Sequence, residues 1–485
     1  MSSEKPMSSE SPDTPVKPLQ DEPRWEGVRE ISNLAVPIII GMMSWTLMQF
    51  VDNIMVARVG KEALAAVGSA GIWSFLLAGM FIGTCSCVAT FVAQSIGRGR
   101  PEESAHYTWH GVYFALFGGV AALALWPLAP HLFGIMGHSE EVTRLETVYF
   151  QIRLAGFIFL AWAAALTSFF QAIHRPMLPS LVAIGCNLLN AGLDYLLIFG
   201  YEPLGIPRLE VVGAAWATVI ATVANALILH AIFISGAFHR EYATRAWDSI
   251  RFQWRKLREL VRIGIPAGLA MTLDIAIWGI FISIIVGRFG DEVLAAQTAV
   301  ITMMHVSFMP AVGLNHAITA IVGKYVGAKD IPRAKARAYT ATRIAAVYMV
   351  GMGLVFAFLG GPMLEHLFDS GPEVVRIGRV LFILAALFQG FDAVNIVISG
   401  ALRGAGDTRY MAIVMFIAAY AFFLPAAAVF AFTMNGGAIG AWIAATIYII
   451  GLSGILLHRF ASERWLGIEI FEADSEPRPS STAGA

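Results

Sequence analysis

Charge is what this chain has least of: only 14% of its 485 residues are Asp, Glu, Lys or Arg, against roughly 25% in soluble proteins. Its formal net charge of −1 offers no field for nucleic acid or any other polyanion, so no nucleic-acid partner is expected. Cysteine is nearly absent too. Cys85, Cys87 and Cys186 all lie in apolar runs, without the spacing of a disulfide framework or a metal site, and read as packing residues. Nothing resembles a P-loop, which excludes ATP as fuel. No nucleophiles, metal ligands or closely spaced carboxylates cluster, so neither an enzyme nor a cofactor is expected. The opening segment lacks the basic start and apolar core of a signal peptide. It reads as a disordered tail over 1–28, matched by another over 463–485.

What is present is apolar sequence in long runs: 57% of residues are hydrophobic and the mean hydropathy is +0.67. Runs long enough to cross a bilayer fall near 34–57, 64–93, 106–127, 147–170, 177–200 and 211–234. Six more lie near 261–287, 294–323, 337–360, 377–400, 410–433 and 437–460. They are continuous where barrel strands would alternate in short segments. The expectation is an all-α polytopic membrane protein with twelve transmembrane helices. Arg and Lys concentrate in alternate connections, among them Arg98, Arg100, Arg175, Lys324, Arg333, Arg337, Arg403 and the segment 240–262. The positive-inside rule then puts both termini in the cytoplasm, with the chain in the inner (plasma) membrane.

The halves repeat one another. "ARVGKEALAA" (57–66) recurs as "GRFGDEVLAA" (287–296), identical at six of ten positions, and Arg29, Glu30 and Pro37 keep the spacing of Arg258, Glu259 and Pro266. Each half has an even number of crossings, so the two six-helix bundles are parallel repeats about an axis along the membrane normal, an arrangement of transporters. The bundles are expected over 29–235 and 258–462, with a basic cytoplasmic linker over 236–257. In that linker Ile250, Trp254, Leu257 and Val261 are spaced for a helix lying on the membrane surface.

Carboxylates inside these runs are few and expensive. Asp52 lies six residues before Arg58, and Asp194 six before Gly200, which puts both at one depth, with Asn190 one helical turn from Asp194. Thr218 enters helix 6 from the same end. Together they form a candidate oxygen-rich site for a proton or Na⁺. Asp274 and Asp392 fall near the midplane, and their counterparts in the N-terminal half are Trp45 and Ala163, so each half has its own acidic site. The bland alternative is that each Asp only glues helices together. Asn187, Asn225, Gln297, Asn315, Asn395, His305 and His316 are read that way, whereas Arg153, His230 and His458 are read as snorkelling from helix ends. Met42, Met43, Met48, Met303, Met304 and Met309, with Trp45, Trp278 and Phe308, suit either packing or a surface for apolar cations.

The segments "AVPIIIGMMSWTLMQFVDNIMVARVG", "NAGLDYLLIFG", "VVGAAWAT" and "QGFDAVNIVISGALRGAGDTR", in that order and spacing, resemble the multidrug and toxic compound extrusion (MATE) family, and its NorM branch in particular. That resemblance implies a V-shaped pair of six-helix bundles and a secondary antiporter exporting small organic cations or drugs by alternating access, in exchange for H⁺ or Na⁺. It implies a coupling site at Asp52, Asn190, Asp194 and Thr218, a substrate or second cation site at Asp274 and Asp392, and a hinge at Pro37. Na⁺ is then a candidate ligand of Asp52, Asn190, Asp194, Asp274 and Asp392. The branch often carries Glu at the position of Asp274 and Tyr at that of Phe388. A monomer in the lipid bilayer is expected. The other reading within the broader superfamily is a lipid-linked precursor flippase, whose anionic cargo would call for a basic cavity.

Overall fold

In a bilayer every backbone N–H and C=O must be satisfied within the chain, so long apolar runs have little choice but to be helices. The computed structural model describes residues 22–367 and 371–471, and among these it contains twelve helices long and apolar enough to span. The N-terminal half holds α1 (Trp25–Ala57), α2 (Lys61–Gly97), α3 (Glu103–Gly134), α4 (Glu140–Ala172), α5 (Met177–Phe199) and α6 (Glu210–Phe233). The C-terminal half holds α7 (Trp254–Phe289), α8 (Glu292–Gly327), α9 (Ile331–His366), α10 (Pro372–Ala405), α11 (Thr408–Thr433) and α12 (Gly437–Ala461). No strand occurs among the described residues, only an isolated bridge between Tyr201 and Ile206.

Two helices belong to both halves. Ile31, Leu34, Ala35 and Ile38 of α1 are buried in the core of the C-terminal half, while Val56 of the same helix is buried with α2, α4 and α6. The repeat does the reverse. Leu260, Ile263 and Ala267 of α7 sit in the N-terminal core, and Ile277, Phe281 and Ile285 in the C-terminal one. Pro37 and Pro266 lie inside these two helices, near each changeover. A proline removes one helical hydrogen bond and crowds the carbonyl four residues earlier. The Pro37 carbonyl itself accepts a bond from Ser180 Oγ of α5, 2.7 Å away.

The halves are fastened at the end where Arg and Lys concentrate. There α2 and α8 cross through glycine: a Cβ at Gly97 would run into the Lys324 carbonyl oxygen, and one at Gly327 into that of Gln94. Gln94 Nε2 donates to the Gly404 carbonyl and Thr90 Oγ1 to that of Arg403, both at 2.9 Å. Ion pairs reinforce the junction from both sides. Glu30 of α1 accepts from Arg337 and Tyr325, and Glu22 accepts from Arg333 and Arg337. Glu259 of α7 accepts from Tyr107 of α3, whose hydroxyl also takes a bond from Lys256. Toward the opposite end, the farthest hydrogen bond between the halves among the described residues is Thr272 Oγ1 to the Leu76 carbonyl, 3.4 Å, about midway along α2.

Three sequence expectations need correction at this end. The helix of α1 starts at Arg24, inside the expected tail of 1–28. The segment after α12 is also ordered as far as Phe471: Trp465 and Ile470 are buried, Arg262 binds the Glu469 and Ile470 carbonyls, and the Phe471 ring meets Phe91 and Tyr107 edge-on. The rest of both expected tails, 1–21 and 472–485, lies outside the described residues. The linker is not one surface helix. It forms two short helices, Gly236–Tyr242 and Trp247–Ile250, before α7 begins at Trp254. Side chains of α3 hold the break, because Tyr113 donates to the Ile250 carbonyl and His110 Nε2 accepts from the Gln253 N–H. Ile250 therefore sits on a different helix from Trp254, Leu257 and Val261.

Candidate functional site

The packing of α1 on α5 positions the first site. Besides the bond from Ser180 to Pro37, Asn187 Nδ2 of α5 donates to Ser44 Oγ of α1 at 2.9 Å, which registers the two helices two turns from Asp52. Asn190 and Asp194 follow on the same face of α5 and are fully buried. The Asp52 and Asp194 carboxyls come within hydrogen-bonding reach of each other. Neither Asp194 oxygen, neither polar atom of Asn190 nor Asp52 Oδ1 has a hydrogen-bond partner among the described residues. Two ionised carboxylates have only acceptors to offer. This juxtaposition is therefore satisfied by a shared proton or by a cation held between the pair, with the Asn190 amide oxygen as a further ligand. The Thr218 hydroxyl of α6 spends its proton on the Ala214 carbonyl, 3.0 Å away, leaving its oxygen as an acceptor.

Beside this pair lies a residue that the sequence reading misplaced. Arg153 does not snorkel from a helix end, because α4 starts at Glu140, well before the expected 147, and Arg153 is some 20 Å inside it at 1.5 Å per residue. Its charge acts on Asp52, and both act on the buried Tyr149. Arg153 also lines a cavity of about 120 Å³ with Trp45, Ser74, Phe75 and Phe157. His230 does not snorkel either: its ring packs edge-on to Trp109 and Trp162, with centroids 5.2 and 5.1 Å away.

The second site belongs to the C-terminal half. Asp274 on α7 and Asp392 on α10 lie close enough for one charge to act on the other. Asn395 Nδ2 donates weakly to Asp392 Oδ1 at 3.4 Å. Two tyrosines that the sequence reading passed over complete the surroundings. Tyr448 of α12 feels both carboxyls, and Tyr420 of α11 feels Asp274 while donating to the Leu273 carbonyl at 3.0 Å. Tyr420 occupies a π-turn, Ile417–Phe423, just ahead of Pro425. Such turns widen a helix and often accompany functional sites. Phe388, one turn before Asp392, is fully buried with its ring stacked on Trp442 at 6.5 Å. Hydroxyls near these acids thus come from α11 and α12 instead of from position 388. Among the described residues no three His, Cys, Asp or Glu side chains converge as a metal site would require.

Comparison with known proteins fits this architecture. The MatE family model matches residues 37–196 and 266–429, one match in each half. The chain is 27% identical over 438 residues to a probable multidrug resistance protein NorM of Thermotoga maritima, covering 90% of this chain and 93% of that protein. It is 28% identical to the multidrug resistance protein MdtK of Yersinia pseudotuberculosis, covering 90% and 95% of the two chains. Among solved structures, a MATE transporter crystallised in complex with MaL6 superposes with a TM-score of 0.81 at 20% identity, covering 90% of this chain and 97% of that one.

Proposed function

The chain belongs to the MatE family of transporters, and we propose from that premise that it is a secondary antiporter exporting small organic cations or drugs in exchange for H⁺ or Na⁺. One observation carries the reading: Asp52 and Asp194 face each other at membrane depth, with Asn190 beside them and no hydrogen-bond partner for Asp194. Such a pair needs a small cation, and the cation's arrival and departure change the charge of the site. Asp274 and Asp392, walled by Tyr420 and Tyr448, form the second acidic surface, suited to the organic cation or to a second ion. Thr218 joins the first site as an oxygen ligand, and Pro37 lets α1 bend between the inward- and outward-open states.

In this reading the basic end faces the cytoplasm, as the positive-inside rule asks, and both termini lie there. The molecule is then closed toward the cytoplasm, and it works as a monomer. The names of its relatives, multidrug resistance proteins, support efflux over precursor flipping. The test is purified protein in liposomes, with efflux of a fluorescent cation driven by an imposed pH gradient or by an imposed Na⁺ gradient. Efflux under one of them is expected; efflux under neither would sink the proposal.

A further inference from the structure

Arg153 is the one feature of the N-terminal half that cation export leaves unused. A guanidinium is expensive to place in the membrane, where it normally pairs fully with a carboxylate or with carbonyls. Arg153 makes no hydrogen bond or ion pair with any described residue. Asp52 is near enough for the two charges to interact, yet all five donors of the planar fork remain free for a ligand. The repeat counterpart of Arg153 is Phe382, fully buried in its own core. The charge therefore belongs to this half alone and is no shared requirement of the bundle.

The guanidinium opens onto the cavity of about 120 Å³. A dry cavity of about 150 Å³ takes a benzene ring, so this one has room for a single six-membered ring. Its walls suit such a ring. Trp45 and Phe75 stack with centroids 6.2 Å apart, and Phe157, Leu160 and Val219 complete the apolar lining. Ser74, also in the lining, is 2% exposed, and its hydroxyl has no partner. An aromatic slot with a free guanidinium and a free hydroxyl is complementary to an aryl carboxylate. The acid oxygens take the two-pronged donor of Arg153, Ser74 donates to one of them, and the ring stacks on the aromatic wall.

We propose that this cavity is a carboxylate subsite, so that the preferred cargo is amphoteric: an aromatic acid end held by Arg153 and Ser74, with a cationic end held by the acidic surface of the C-terminal half. The inference rests on the antiport reading for the role of Asp274 and Asp392, and it reverses the expectation of an interior acidic throughout.

The test uses two dyes with one cationic xanthene core, rhodamine 110, a free aryl carboxylic acid, and rhodamine 123, its methyl ester. Equilibrium binding to the purified protein is read by fluorescence anisotropy. Wild type is expected to prefer the acid, and Arg153→Gln to reduce that preference about tenfold, the loss of one charge-assisted bidentate contact. Arg153→Lys keeps part of the preference and Ser74→Ala lowers it. Excess benzoate competes with rhodamine 110 in wild type and benzamide does not, a readout that needs no variant to fold. Equal binding of acid and ester by wild type, or benzoate and benzamide competing alike, overturns the subsite. Its failure is separable from that of antiport: rhodamine 123 efflux that neither gradient drives, with the acid preference intact, sinks antiport and leaves the subsite standing.

Discussion

Glu30 on α1 and Arg337 on α9 are joined across the two halves, Oε2 to Nε at 2.5 Å, and Glu259 on α7 makes the reciprocal reach to Tyr107 on α3 at 2.5 Å. The repeat pairs Glu30 with Glu259 and Tyr107 with Arg337, so one design of latch is used twice with a change of donor. Opening the basic end requires both to break.

Cutting the charged latch should favour that opening. Arg337 is nearly buried, with 7% of its side chain exposed, and removing one partner of a buried pair costs about 3 kcal/mol. Arg337→Gln should therefore raise the population open at the basic end roughly a hundredfold. Native Cys87, buried at the junction with its thiol toward the Ile263 carbonyl, reports it through faster alkylation by N-ethylmaleimide. An unchanged rate would mean that the latch does not hold the closed state.

Acid should weaken the same junction. Burial alone would push the Glu22 carboxyl up, but hydrogen bonds and charge from Arg337 and then Arg333 outweigh it and hold the group below its ordinary 4.5. A depressed carboxylate contributes its full stabilisation above the ordinary value and loses it as pH falls through the depressed one. Cys87 alkylation compared with Glu22→Gln should differ above pH 4.5 and converge below it. A difference that persists in strong acid would contradict the assignment.

At the first site, Asp52→Asn and Asp194→Asn keep the side-chain shape and remove one negative charge each. Gradient-driven efflux should fall to background in both, with expression and detergent stability retained. Near-normal coupling in Asp52→Asn, with only Asp274 or Asp392 variants dead, would move the coupling site to the C-terminal half.

At the second site, Asp274→Asn or Asp392→Asn should weaken binding of a purely cationic dye about tenfold, the scale of one lost charge contact, or change the Na⁺ dependence of efflux. Dye titrations at fixed ionic strength measure the first effect and efflux under imposed Na⁺ gradients the second. Affinity and Na⁺ response both unmoved would remove these acids from substrate and ion recognition.

Pro37→Ala should slow turnover several-fold and leave dye affinity nearly unchanged, because it restores one helical hydrogen bond and stiffens α1. Single-turnover and steady-state efflux separate the two quantities. Equal turnover would take the bend out of the mechanism.

Much of this was legible before any coordinates. Apolar runs locate helices because the bilayer leaves the backbone no other partner, and Asp52 and Asp194 meet because residue counts from a common surface give common depth. Arg153 was misread for the same reason turned around: an end estimated seven residues late made a deep charge look superficial. Tyr420 and Tyr448 gave no signal, since a tyrosine in an apolar run looks like any other large side chain until neighbouring helices place a carboxyl beside it. The latches were half visible, as Glu30 and Glu259 stood out in the repeat, but their partners lie some 300 and 150 residues away along the chain and only the fold brings them near. The linker failed because helical spacing cannot register His110 and Tyr113 capturing its backbone from outside.

The exchange of helices between the two cores has a mechanical consequence. Asp52 rides on the part of α1 held by the N-terminal core, while Ile31 and Leu34 of the same helix are gripped by the C-terminal one. A rearrangement of charge at Asp52 that tilts its segment must pull on the opposite half through the peptide chain itself, and α7 returns the linkage in the other direction. The two bundles are therefore tied like two boards sharing a pair of crossed tenons: neither can rock without loading a proline-weakened rod whose far end is anchored in its neighbour.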